Sequence, residues 1–180
     1  MTAPALLLCL DLQPAFLQAV PAGAPVLRRC AFAVEAARGL GLPVWFTEQV
    51  PAKLGPTAPE LLALAGPPTV FAKDEFSALA NEPIRAAVRA SGVWHLLLCG
   101  IETPVCVFQT ARDALHAGWE VTVLTDGVGA RRADDAAAAL QHLARLGVHL
   151  LPAETVFYGL VRSARHPFFR EYTQLVKKYS

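Results

Sequence analysis

The chain has 180 residues, of which 17% are charged and 54% hydrophobic, and a formal net charge of +1. That length suits one domain, residues 1–180, with a sizeable core. The near-neutral balance offers no basic footprint for nucleic acid or an anionic membrane surface, and no apolar run is long enough to span a bilayer, so the expected partner is a small molecule.

Leu6 to Leu10 is a continuous apolar run that stops at Asp11, the pattern of a strand covered on both faces. The opening stretch MTAPALLLCLDLQ has no basic n-region and its apolar run ends at Asp11, which argues against a signal peptide. Cys9, Cys30, Cys99 and Cys106 show no CxxC or Cys/His metal spacing. Reduced thiols in a cytoplasmic protein are therefore expected. DLQPAF leads through the Pro- and Gly-rich PAGAP to a predicted helix over 26–40 that buries Leu27, Cys30, Val34 and Ala37 and ends at Gly41. Residues 43–47 read as the second strand. The segment EQVPAKLGPTAP has no apolar period and predicts a long surface loop, followed by a short helix over 59–65. A third strand over 69–72 stops at Lys73, and the loop DEFSALANEP leads to a helix over 82–90.

His95 to Cys99 is the fourth strand, broken at Gly100. The chain then turns into a helix from about Pro104 to Ala117, with Cys106 in its first turn. Unpaired N–H groups and the helix dipole favour negative charge there, which predicts a lowered thiol pKa. The competing reading is a small buried apolar residue, as most free cysteines are. Residues 121–124 form the fifth strand, stopping at Asp126. A helix over 133–146 should turn Leu140, Leu143 and Leu146 inward, and 148–151 is the sixth strand. Strands alternating with helices predict a doubly wound α/β domain: a six-stranded parallel sheet with helices on both faces. Phe168, Phe169, Tyr172, Leu175, Val176 and Tyr179 lie at helical spacing in the tail. They predict a last helix packed on its own domain, against the alternative of a helix covering a neighbouring subunit.

In open parallel sheets, ligands bind beyond the carboxyl ends of the strands. Asp11 ends the first strand, Lys73 ends the third and Cys106 follows the fourth. Each alone reads as an ordinary strand exit, surface or core residue; together they form a coherent chemical set. Asp11 can take the thiol proton, while Lys73 holds Asp11 and offsets its charge. A Cys/His pairing fits worse. His116 lies on the same helix, roughly 15 Å from Cys106, and His95, His142, His149 and His166 are not at carboxyl strand ends.

Three blocks in order, LLLCLDLQPAF, VFAKDEFSAL and GIETPVCVFQTARDAL, followed by GWEVTVLTDGVGA, give the chain its resemblance to the isochorismatase-like cysteine hydrolases over essentially the whole domain. The resemblance implies a six-stranded parallel sheet and a triad of Asp11, Lys73 and Cys106. It implies hydrolysis of amides such as nicotinamide, ureido acids or N-carbamoyl compounds through a thioester, with no cofactor. It also implies a cis peptide at Ile101–Glu102, setting the Glu102 backbone N–H beside that of Cys106 as an oxyanion hole. Gln13, Phe16 and Phe76 flank the triad in sequence: the two phenylalanines are candidate pocket walls, with core packing as the alternative, and Gln13 a support.

Departures narrow the resemblance. Nicotinamidases of the family carry an aspartate and two histidines for a metal after the second strand, whereas TEQVPAKLGP offers no histidine. A metal-independent enzyme is expected, similar to the small isochorismatase-domain hydrolases. Pro104 lacks an N–H, which a helix start tolerates. Two other readings stand beside cysteine hydrolysis: vinyl-ether hydrolysis that leans on the aspartate without a cysteine nucleophile, and a non-catalytic, thiol-bearing binding protein of the same fold. The apolar tail and low surface charge point to a homo-oligomer, with dimer and tetramer equally open.

Overall fold

The computed structural model describes residues 5–180; Met1 to Pro4, the start of the stretch used to argue against a signal peptide, lie outside them. One sheet of six parallel strands runs through the described chain in the order β3-β2-β1-β4-β5-β6, with β1 Ala5–Leu10, β2 Val44–Gln49, β3 Thr69–Lys73, β4 His95–Ile101, β5 Glu120–Gly129 and β6 His149–Leu151. The order turns back between β1 and β4, so the crevice at their carboxyl ends is the topological switch point of the sheet. Every residue of β1 is buried. Its side chains alternate between two cores, Leu7 and Cys9 facing one helical layer and Leu6, Leu8 and Leu10 the other. This is why the run reads as unbroken apolar sequence.

The first layer holds α1 Pro14–Ala19, α2 Gly23–Gly39, α4 Pro59–Ala65, α8 Ala153–Val161 and α9 Phe169–Tyr179. Across the sheet lie α5 Glu82–Ala90, α6 Phe108–His116 and α7 Ala133–Leu146. The tail packs on its own chain: Tyr172 and Tyr179 are buried against Phe32 of α2, and the Tyr179 hydroxyl and Lys178 ammonium each donate to Glu35 at 2.6 Å. The tail's apolar face is thereby used within the chain and gives no argument for a second subunit. No helix among the described residues is long and apolar enough to cross a membrane.

Several predicted elements are corrected. Helices α1 and α8 have no counterpart among the elements that the sequence predicts. The predicted loop after the second strand contains a short helix, α3 Pro51–Leu54, and β2 itself runs on to Gln49. Strand β4 continues through Gly100 to Ile101, and β5 continues past Asp126 to Gly129 after its register against β4 shifts. Asp126 sits in that irregular stretch, where it accepts from Arg29 at 2.7 Å and from the Ala153 N–H at the start of α8 at 2.8 Å. Leu27 is half-buried on α2; Leu146 is exposed, because α7 packs through Leu143 and turns its last turn to solvent.

Gly100 does not break β4; it allows β4 to approach β1. Its φ is +125°, and a Cβ there would lie 2.0 Å from the Leu10 carbonyl oxygen, a clash with backbone that cannot move aside without separating the central strands. Gly100→Ala is expected to destabilise the protein by at least about 3 kcal/mol, lowering Tm in calorimetry by roughly 6–12 °C. An unchanged Tm would contradict this reading of the strand contact.

Candidate active site

Three strand ends meet at the switch point. β1 ends at Leu10 and Asp11 follows it, with a φ of +53°, a left-handed conformation that a short polar side chain tolerates better than most. Its N–H donates to the Thr47 carbonyl at 3.1 Å, and its own carbonyl accepts from the Gln13 N–H at 2.8 Å, closing the turn into α1. The carboxylate is fully buried, with each oxygen engaged: Oδ1 accepts from the Thr47 hydroxyl at 2.7 Å and Oδ2 from Lys73 Nζ at 2.7 Å. Lys73, the last residue of β3, is 2% exposed. A buried ammonium must satisfy three N–H donors, and this one has Asp11 Oδ2, Gln49 Oε1 at 2.6 Å and the Glu75 carbonyl at 3.1 Å.

Beyond β4 the peptide bond between Ile101 and Glu102 is cis. The chain then winds as a π-helical turn over Thr103–Val107 before α6 begins, so Cys106 stands in a wide turn and not in the first turn of a regular α-helix. The Glu102 carbonyl accepts from the N–H groups of Val105 and Val107, with no bond to it from the intervening Cys106 N–H. The Cys106 sulfur lies 4.0 Å from Lys73 Nζ. It borders a cavity of about 320 Å³ lined by Phe16, Gln49, Phe76, Ile101, Glu102, Val105, Cys106 and Arg131. Phe16 and Phe76 are thus walls of the cavity that holds the thiol, Phe76 with 55% of its surface exposed. At the mouth, Arg131 donates through Nε to Glu102 Oε1 at 2.7 Å and through its backbone N–H to Oε2 at 3.2 Å.

The expected fall in the thiol pKa is overturned. Burial raises it first, then the negative charge of Asp11 and a hydrogen bond to that carboxylate; Lys73 and the Glu102 backbone N–H pull the other way but are outweighed, and the thiol is pushed up to about 12. At rest the sulfur keeps its proton, with the Asp11 carboxylate beside it. The other three cysteines are fully buried away from the cavity, Cys9 3.6 Å from Cys99 and Cys30 donating to the Gly127 carbonyl at 3.2 Å.

Gln13 does not line the cavity. It is buried and clamps β2 to the loop beyond it: Oε1 accepts from the Gln49 N–H at 2.8 Å, and Nε2 donates to the carbonyls of Gln49 at 3.1 Å and Gly55 at 2.6 Å. Gln49, Glu102 as a side chain, and Arg131 are the site residues that sequence reasoning did not single out. Glu48, next to Gln49, accepts from the Thr57 N–H at 2.7 Å, and no cluster of three His, Cys, Asp or Glu side chains suited to a metal lies among the described residues.

Comparison with known proteins bears on the family and the fold. Residues 5–155 match the family model described as the isochorismatase domain. Isochorismatase domain-containing protein 1 of Danio rerio is 36% identical over 169 residues, covering 94% of this chain and 59% of the relative, so the chain spans a little over half that protein's length. A solved structure of MAR1 ribonuclease from Caenorhabditis elegans superposes with a TM-score of 0.92 at 32% identity, covering 98% of this chain and 91% of that one. The YcaC gene product of Escherichia coli, described as an octameric hydrolase of unknown specificity, superposes with a TM-score of 0.85 at 26% identity over 98% of this chain and 93% of its own. A domain match running from the first strand to the start of α8, on a sheet whose switch point gathers the same three blocks, places this chain in the isochorismatase family.

Proposed function

We propose that the protein is a metal-independent cysteine hydrolase that cleaves a small-molecule amide or related carbonyl compound through a thioester on Cys106. One observation carries the reading: a buried carboxylate, a buried ammonium and a cavity-facing thiol converge, with Lys73 Nζ 2.7 Å from Asp11 and 4.0 Å from the sulfur. As the carbonyl carbon is attacked, the Cys106 proton passes to Asp11 and sulfur bonds to carbon. The carbonyl electron pair moves to oxygen, stabilised by the backbone N–H groups of Glu102 and Cys106. Collapse re-forms the carbonyl and expels the amine, which takes the proton back from Asp11. Water then adds to the thioester with Asp11 as base, and the acid leaves as the thiol is restored. Lys73 keeps a negative charge tolerable in a buried site throughout, while Phe16 and Phe76 form apolar walls that exclude bulk water.

The ribonuclease name belongs to the nematode neighbour. Here a net charge of +1 and a cavity of about 320 Å³ favour a small molecule over a polyanion. With the tail committed to its own chain, the low charge content and the octameric YcaC neighbour are what support a homo-oligomer. The reading is tested by screening a panel of small amides, ureido acids and N-carbamoyl compounds with wild type and Cys106→Ala. Turnover that vanishes in Cys106→Ala is expected. Amide turnover that survives the substitution would contradict a thioester on Cys106, turnover of an added vinyl ether but of no amide would point to vinyl-ether chemistry resting on Asp11, and no turnover by wild type at all would favour a binding protein.

A further inference from the structure

The triad as read from sequence leaves Gln49 without a role. It is the last residue of β2, 6% exposed, and in register with Lys73 on β3. Its backbone is held on both sides by Gln13. Its Nε2 donates to the Asp74 carbonyl at 2.7 Å, which fixes the amide's orientation and turns Oε1 toward Lys73 Nζ at 2.6 Å. Asp11 and the Glu75 carbonyl are the other two close acceptors of the ammonium, with the Phe76 carbonyl at 3.5 Å and the Cys106 sulfur at 4.0 Å beyond them. Aspartate and glutamate are the side chains that ordinarily face a buried lysine, and a carboxylate at this position would hold the ammonium more strongly than an amide does.

We propose that Gln49 is the positioning residue of this centre: its amide fixes the direction of the Lys73 ammonium, and its neutrality leaves that charge undivided between Asp11 and the Cys106 sulfur. The inference rests on the cysteine-hydrolase reading above. The charged and titratable groups facing Lys73 and the sulfur are Asp11 after β1, Cys106 itself, the exposed Glu75 carboxylate, which the Asn81 side chain first and Lys73 more weakly hold below its usual range, and the Glu102–Arg131 pair at the cavity mouth; Asp74 and Glu75 also contribute backbone carbonyls.

The test needs no substrate. Iodoacetamide alkylation of Cys106 is followed by mass spectrometry between pH 7 and 9.5 in the full chain and three variants. In Gln49→Glu a second carboxylate competes for the ammonium, and the thiol holds its proton more tightly. A one-unit rise leaves about tenfold less thiolate, offset about threefold by its greater nucleophilicity, so alkylation slows at least about threefold at each pH. In Gln49→Met the ammonium loses an acceptor, and its freed N–H turns to the sulfur, 4.0 Å away, so alkylation accelerates. A residue that merely packs would move both rates in the same direction, and that result, or no change in either, overturns the proposal. Should Gln49→Glu fail to fold, Gln49→Met carries the test alone, a rate equal to or below wild type overturning it. Asp11→Asn separates the two levels: if it too leaves the rate unchanged, the triad reading itself has failed, whereas acceleration in Asp11→Asn with unmoved Gln49 variants rejects only the role of Gln49.

Discussion

Replacing Asp11 with asparagine is expected to speed iodoacetamide alkylation of Cys106 about tenfold at pH 8 while reducing hydrolytic turnover by at least about a thousandfold. The two effects have opposite signs because they read different properties of one carboxylate. After burial, the charge of Asp11 is the largest cause holding the thiol up to about 12. Removing it while Lys73 stays lowers that value. A fall of two units yields about a hundredfold more thiolate at pH 8, of which about tenfold survives the loss of intrinsic nucleophilicity. Turnover also needs a base for the thiol proton and an acid for the leaving amine, and an amide supplies neither; such groups contribute roughly 100- to 10,000-fold. In the wild-type protein, alkylation should climb about tenfold per pH unit from 7 to 10 without levelling, because the thiol titrates only near 12. A plateau near pH 8 would mean a thiolate already formed at rest, and a parallel fall of both rates in Asp11→Asn would make Asp11 structural.

Lys73→Met should unfold the protein far more readily than its position at the end of a short strand suggests. The ion pair with Asp11 is 2.7 Å long, with both side chains fully buried. Removing one partner strands the other charge away from water, with only the neutral Thr47 hydroxyl and Cys106 thiol left to donate to it, a loss of about 3–5 kcal/mol. At this chain length that corresponds to a fall in Tm of roughly 6–20 °C by calorimetry. The double variant Asp11→Asn/Lys73→Met removes both charges and should recover part of that loss. A double variant as unstable as the sum of the two single ones would show that the groups do not act as a pair.

How much of this the sequence disclosed depended on how local the cause was. Short apolar runs located β1, β3 and β4, and the polar residues that stop the first two located Asp11 and Lys73; burial on both faces marks β1 and β4, whereas in the largely exposed β3 the mark is the polar residue at its carboxyl end. The position of Cys106 followed from the same strand. Its ionisation did not: the helix-terminus argument is local, whereas desolvation and the charge of Asp11 arrive from other parts of the chain and outweigh it. Gln49 was hidden for a related reason. It lies where the sequence turns Pro- and Gly-rich, and its importance comes from Gln13, Asp74 and Lys73. The available signal was register, since the polar residues that follow the apolar run 44–46 of β2 must come to lie beside the polar end of β3. Helix α8 was missed although Pro152 precedes it and Phe157 and Val161 repeat at helical spacing. Arg131 follows a strand whose extension past Asp126 depends on a register shift against β4, and a shift of that kind leaves no periodicity to read.

The most direct measurement is the intact mass of the protein quenched in acid during incubation with amides of the panel. A wild-type species heavier by the substrate's acyl group, mapped to the Cys106 peptide, lost on treatment with neutral hydroxylamine and absent in Cys106→Ala, is the result expected. Turnover of an amide with no acyl adduct on Cys106 even under rapid quench, or an adduct on a different residue, would contradict the account.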